Sequence, residues 1–319
     1  KISPDGEHYF VVAEQNEDQT LSIFKLESNE LVRVVNFDRR WQAGSITWIS
    51  QNEIAISPDI RPLDDYRRLS VGQLVVVDLE DFIEPVFGSL VKTQTGSIAG
   101  RRSIVSEGNA ALMDPLLDQP GWIKIKVAKD YRLGFAELEF KTGRIRNLEW
   151  GPNRGCQFVM DENAEVRLCT TEKMENGHQL DSKIYEIYAF DGSQWELIYE
   201  SPEWHFTRVF TPYDGIDKFL VMKESPSSRQ GLYEFETKTK TFKELYTDPD
   251  FDLSWISYDR QTGIAAIEAH NPMPNYIYLE ASGSAATVHQ QLAAAFPEHY
   301  VNVTSYTEDE TKLIFRVSS

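Results

Sequence analysis

The sequence predicts an all-β fold, a seven-bladed β-propeller of four-stranded blades with the last blade incomplete, on three observations. A strand–turn–strand segment recurs seven times, mostly 43 to 52 residues apart with one longer gap. A second hairpin follows each of the first six. Tyr, Phe, Trp, Val and Ile, which suit a pleated sheet, are frequent. The chain is 41% hydrophobic, too apolar for disorder, and 319 residues can bury a large core. The whole of it, residues 1–319, reads as one propeller domain.

The first hairpin runs from Ile2 to Ala13 and turns at Pro4-Asp5-Gly6. The second spans Ile46 to Ser57, turning at Ser50-Gln51-Asn52, and the third spans Ala110 to Val127 around Asp118-Gln119-Pro120-Gly121. Cys156 to Thr170 forms the fourth, turning at Asp161-Glu162-Asn163-Ala164, and Thr207 to Lys223 the fifth, turning at Tyr213-Asp214-Gly215. The sixth is Leu253 to Ala269 and the seventh Tyr300 to Val317. The second hairpins show period-two alternation, as in Leu21–Phe24 before Leu31–Val35, Gln73–Asp78, Ala136–Phe140, Ile184–Tyr188, Leu232–Phe235 and Tyr276–Leu279. A β-sandwich has no reason to repeat one four-strand unit, and a β-helix repeats at a shorter period.

Two stretches break the repeat. Residues 82 to 109 read as an insertion, and Thr287 to Phe296 as a short helix ended by Pro297. The chain opens inside a strand–turn pattern without an initiator Met, and the seventh unit lacks its outer strands. The expectation is that the natural chain continues on both sides, with room for a targeting segment upstream.

In a four-stranded blade the turns inside hairpins lie on one face, and the links between hairpins and between blades on the other. The longer loops here are links: Pro58–Gly72, Phe82–Asn109, Thr171–Ser182, Glu224–Gln230, Asp38–Gly44, Gly151–Gly155 and Ser201–Phe206. Long loops on a rigid scaffold carry binding. Arg61, Arg67, Arg68, Arg101, Arg102, Trp204 and His205 fall on this face and are the candidates for substrate or domain-interface binding; pairing of each Arg with a nearby carboxylate is the alternative.

The formal net charge of −18 repels phosphate backbones, and no basic stripe interleaved with aromatics occurs. Nucleic acid and anionic membranes are therefore not expected partners, and no run approaches the ~18 apolar residues of a membrane span. The six His form no zinc-type set with Cys or carboxylates, so no metal is expected. No P-loop, dinucleotide fingerprint or H-E-x-x-H occurs, and so no cofactor. Gly96-Ser97-Ile98-Ala99-Gly100 places its Ser one residue too early for a nucleophile elbow, and no catalytic residue is assigned.

Cys156 and Cys169 flank the fourth turn. A tight turn at Glu162-Asn163 sets them directly opposite each other, with Cβ atoms about 4.5–5.5 Å apart. A disulfide, which needs about 3.8 Å and an oxidising compartment, and two buried thiols are both open.

Ser3-Pro4-Asp5-Gly6, echoed at Thr211 to Gly215 and at Ser305 to Asp309, is similar to the blade-opening motif of bacterial propellers. With Met160-Asp161, Val166-Arg167-Leu168, Gly192 to Leu197 and Ala293 to Pro297, the whole chain resembles the amino-terminal propeller of bacterial serine peptidases of the prolyl oligopeptidase family, on the acylaminoacyl-peptidase and dipeptidyl-peptidase side. The resemblance implies a downstream α/β-hydrolase domain that brings the Ser, Asp and His, and a propeller that gates and selects short peptides. It implies a periplasmic or secreted protein, the cytoplasm being the alternative. The same blade motif occurs in periplasmic TolB-like propellers, so a stand-alone binding or scaffold propeller is the second reading. A metal-dependent propeller enzyme is the third.

Overall fold

The structure, a computed structural model, describes residues 1–15, 18–37, 41–60, 69–70, 72–80, 83–87, 109–175, 178–179, 183–203, 205–213, 215–225, 228–259, 263–269, 276–278 and 284–318. It is all-β, apart from one helix among the described residues, Ser284–Ala295. Two compact units make up the chain: 1–150 with 303–315, and 151–302 with 316–319.

Among the described residues, Lys1–Trp150 of the first unit holds three antiparallel sheets. The first sheet is His8–Gln15, Asp18–Lys25 and Leu31–Phe37. The second runs Trp41–Trp48, Glu53–Ile60, Leu74–Asp78, Ile83–Phe87, with Leu69–Ser70 added on Glu53–Ile60. The third runs in sequence order through Asn109–Asp114, Trp122–Lys129, Arg132–Glu139 and Arg144–Trp150. Alternate residues of each strand face the neighbouring sheet. Leu21, Ile23 and Val35 pack on Ile46, Trp48, Ile54 and Val77, while Ala55, Leu74 and Val76 pack on Ile123, Ile125, Val127 and Leu138.

In the second unit, Gln157–Met160, Val166–Glu172, Tyr185–Phe190 and Trp195–Glu200 form the fourth sheet. The fifth is Thr207–Pro212, Lys218–Glu224, Gln230–Glu236 and Thr241–Tyr246, and the sixth Leu253–Asp259, Gly263–Ala269 and Tyr276–Ile277. Val159, Leu168 and Ile187 pack on Val209, Phe219 and Phe235, fixing the fourth sheet against the fifth.

Hairpins two to seven fall where their sequence patterns place them, and the last is the two-stranded pair Tyr300–Tyr306 and Leu313–Ser318. Two expectations are corrected. Ile2–Ala13 is not a full hairpin: its first arm is a single bridge, Ile2 to Tyr9. Ile83–Phe87, read as the start of an insertion, is the outer strand of the second sheet, with Pro85 opposite Val75. A proline is tolerated there because the strand is an edge.

The Ser3-Pro4-Asp5-Gly6 turn is built twice. Ser3 Oγ donates to Asp5 Oδ1 at 2.6 Å, Glu7 N–H donates to the same oxygen, and His8 N–H donates to Ser3 Oγ. Thr307 Oγ1 likewise donates to Asp309 Oδ1 at 2.6 Å, Thr311 N–H joins it, and Lys312 N–H donates to Thr307 Oγ1. The echo thus begins at Thr307 rather than Ser305. Glu310, at φ 56°, stands where Gly6 adopts φ 72°. The two turns touch: Ile2 N–H donates to Ser305 Oγ, Glu308 N–H to Pro4 O, and Lys312 Nζ to Gly6 O.

The helix, slightly longer than the predicted Thr287–Phe296, is stapled by His289. Its Nε2–H donates to Val301 O at 2.9 Å, so Nδ1 accepts from the Tyr278 hydroxyl at 2.6 Å. This network needs neutral imidazole, and burial holds the His289 pKa below its ordinary value of 6.5. Unfolding restores that ordinary value, so the unfolded chain takes up the proton first. The contribution is complete above about pH 6.5, declines below it and is gone once the pH has fallen through the lowered folded value. Melting temperatures from pH 8 to 5 are expected to fall more steeply for the unaltered chain than for His289→Gln; parallel curves would refute this role.

Candidate functional site

Of the seven candidate binding residues, Arg61, Arg67, Arg68, Arg101, Arg102 and Trp204 lie outside the described residues. His205 is described. It is half exposed, with Nδ1 3.8 Å from Glu224 Oε2. The Glu224 N–H donates to Phe206 O at 3.1 Å, which ties the link Ser201–Phe206 to the start of Glu224–Gln230. Two of the expected loops therefore meet beside His205.

A concavity opens one residue further along. The sequence sets it there through strand direction. The starts of Gln157–Met160, Tyr185–Phe190 and Thr207–Pro212 and the end of Val166–Glu172 all point to one end of the fourth and fifth sheets. The links Gly151–Gly155 and Ser201–Phe206 close over that end. Asn153 Oδ1 accepts from Thr171 Oγ1 at 2.7 Å and from Gly155 N–H at 2.9 Å. A Cβ at residue 155 would meet Thr171 Oγ1 at 2.9 Å, so glycine lets the link lie this close. Ser201 and Tyr185 exchange hydrogen bonds, Ser201 N–H to Tyr185 O and Tyr185 N–H to Ser201 Oγ, each 2.8 Å.

The cavity between these elements has a volume of about 320 Å³. Its polar lining comes from Gln157, Thr170, Glu172 and Arg208, and its apolar lining from Met174, Phe206 and the Tyr185 ring. Tyr185 and Phe206 meet edge to face at 5.5 Å. Glu172 lies opposite Tyr185 in the strand pairing. Burial, then the Glu172 charge and a hydrogen bond to its carboxylate, push the Tyr185 phenol above its ordinary value, so it stays protonated. The buried Thr170 hydroxyl has no hydrogen-bond partner among the described residues. The Arg208 guanidinium rests on the Phe210 ring at 4.9 Å. Sequence reading had placed binding on the link face but passed over Glu172, Tyr185 and Arg208. They sit inside or at the ends of strands, where nothing in the pattern separates a cavity wall from an ordinary sheet position.

The disulfide Cys156–Cys169 underlies this site: Gly155 and Thr170, which line the cavity, are its chain neighbours. The expected register is corrected. Phe158, not Cys156, lies opposite Cys169, and an extra residue between Val159 and Met160 on the partner strand takes up the difference. Asp161 causes the longer turn: its Oδ1 accepts from the N–H groups of both Asn163 and Glu165, and Oδ2 pairs with Arg167 at 2.7 Å. The cysteines are thus diagonal neighbours on one face, with Cα atoms 5.5 Å apart.

In the first unit, Asp5, Glu7 and His8 bring possible ligand atoms within 4.8 Å of one another, a grouping of His with carboxylates that sequence reading did not anticipate. The Asp5 carboxylate already serves its own turn, and the trio is explained by that.

No family model matches the chain, and no curated protein matches it. Solved structures do. The β-propeller domain of the trilobed protease from Pyrococcus furiosus is 14% identical over 86% of this chain and 80% of its own, with a TM-score of 0.53. A structure from a study of two prolyl endopeptidases matches 100% of this chain at 11% identity and a TM-score of 0.58. Puromycin hydrolase matches 88% at 10% identity and 0.52. The chain spans 49% of the prolyl endopeptidase and 45% of the puromycin hydrolase. At these identities the likeness is one of fold, and the chain has the fold of the β-propeller domains of prolyl oligopeptidase-family peptidases.

Proposed function

We propose that the seven repeat units form seven blades, and that this propeller gates and selects short peptides for an α/β-hydrolase domain of a serine peptidase. The observation that carries the reading is the match of the entire chain to about half of a prolyl endopeptidase. A propeller in this role supplies selectivity without chemistry: it excludes large or folded substrates from a buried site and helps position short ones. The disulfide favours a periplasmic or secreted location.

The chain Lys1–Ser319 is expected to give no turnover of short chromogenic peptides and no labelling by a serine-directed phosphonate, whereas the parent protein gives both. Covalent catalysis needs a nucleophile, base and oxyanion hole within hydrogen-bond reach. Labelling of the chain itself, or an inert parent protein, would overturn the proposal. The cavity between the fourth and fifth sheets favours the second reading, a binding propeller that acts without a hydrolase, which an inert parent protein would promote.

A further inference from the structure

We propose that Tyr131, at a tip of the third sheet, is an anchor for the α/β-hydrolase domain of the parent protein. The inference rests on the hydrolase reading and gives that domain a point of contact. Trp122–Lys129 and Arg132–Glu139 are joined by two residues, with Lys129 opposite Arg132 closing the ladder. Asp130 and Tyr131 take φ of 49° and 59°. A two-residue hairpin loop with both φ positive is the I′ form, which favours Asn or Asp first and Gly second. Asp130 fits. Tyr131 does not: its Cβ crowds the backbone in the left-handed region, at a cost that Gly avoids. Its side chain is also 85% exposed, more than any other large apolar or aromatic side chain among the described residues. Both features work against this chain folded alone. Backbone strain of this kind persists at functional positions, and covering the ring with a second body regains what its exposure forfeits.

The place of the tip and its neighbours select the partner. The third sheet is antiparallel throughout, so the tip lies at the same end as Asn109 and Trp150, where the links Phe82–Asn109 and Gly151–Gly155 join it. At this end the Arg132 guanidinium lies over the Trp150 ring at 4.6 Å. Tyr, Arg and Trp are the residue types that carry most of the binding energy in protein interfaces. The tip alone is far smaller than the roughly 800 Å² per partner that a free protein or a second copy of this chain needs to bind stably. A domain of the same polypeptide needs much less, because its tether holds it at high effective concentration. The match of the entire chain to 49% of a prolyl endopeptidase supports a domain tethered in this way.

Two measurements test this. Tyr131→Gly in the 319-residue chain is expected to lower the unfolding equilibrium constant about threefold, read from urea unfolding, because it relieves the strained tip. A variant no more stable than the unaltered chain would show that contacts within the chain already hold the ring, and would overturn the proposal. In the parent protein, photoreactive p-benzoylphenylalanine replaces Tyr131 or, as a control, Leu117, which is 38% exposed in the turn at the other end of the same sheet. Irradiation is expected to join position 131, and not 117, to peptides of the hydrolase domain in the same polypeptide, identified by mass spectrometry. No cross-link from 131, cross-links confined to residues 1–319 or reaching a second polypeptide, or equal yields from 131 and 117, would each overturn it. Peptide turnover enters neither readout. A cross-linked but inert parent protein would sink the gating reading and leave this contact standing, and an active parent protein without the cross-link would do the reverse.

Discussion

Replacing Glu137 by alanine is expected to destabilise the chain by about 3–5 kcal/mol, because it removes a buried carboxylate that the Lys124 ammonium and the Arg146 guanidinium share. In the third sheet Lys124 lies opposite both Asp114 and Glu137, and Glu137 opposite Arg146, so charges alternate in sign across four strands. Lys124 and Glu137 are 3% and 6% exposed, with Nζ 3.8 Å from Oε1. Glu137 Oε2 accepts from Arg146 Nε, and the guanidinium covers Trp122 at 3.8 Å. Their strand neighbours Ile123, Ile125, Ala136 and Leu138 face the apolar core on the other side of the sheet. Removing Glu137 leaves Lys124 with less compensation where water cannot replace it. Replacing both by apolar residues of similar volume, Lys124→Met with Glu137→Leu, is expected to recover most of the loss, since the buried pair itself is worth little net. Urea unfolding of the three proteins checks this; a Glu137→Ala loss under about 1 kcal/mol would place these charges in water.

Removing the disulfide is the second large effect. Cys156 and Cys169 are 13 residues apart, and a loop of about that size restricts the unfolded chain by roughly 3 kcal/mol. The double variant Cys156→Ala, Cys169→Ala is expected to lose about that much. Reductant should bring the unaltered chain down to the variant's stability and leave the variant unchanged. An unaltered chain indifferent to reductant would show that the thiols are not joined.

The sheets were legible because each strand states its own period, and the turns because Asp, Asn and Gly punctuate them. Ser3-Pro4-Asp5-Gly6 is the clearest case: Ser and Asp side chains build the turn from local hydrogen bonds, so four residues suffice to announce it. Its repeat at Thr307 was harder to align, since Glu310 replaces the glycine. Register was less legible. Turn length decides it, and one Asp161 carboxylate lengthens the fourth turn enough to move Cys169 opposite Phe158. The cavity was not legible as such. It arises where the ends of two sheets meet, from residues scattered between 155 and 208 that no sequence window contains. Strand direction nevertheless indicated which end of these two sheets to search.

The most direct test of the central claim is the dependence of cleavage on substrate size in the parent protein. One scissile sequence is presented as a chromogenic tetrapeptide, within an unfolded polypeptide of about 100 residues, and within an exposed loop of a folded domain, and kcat/KM is measured for each. A gating propeller predicts efficient cleavage of the tetrapeptide and losses of about a hundredfold or more for both larger forms, since neither reaches a covered site. Equal kcat/KM for all three would contradict the account.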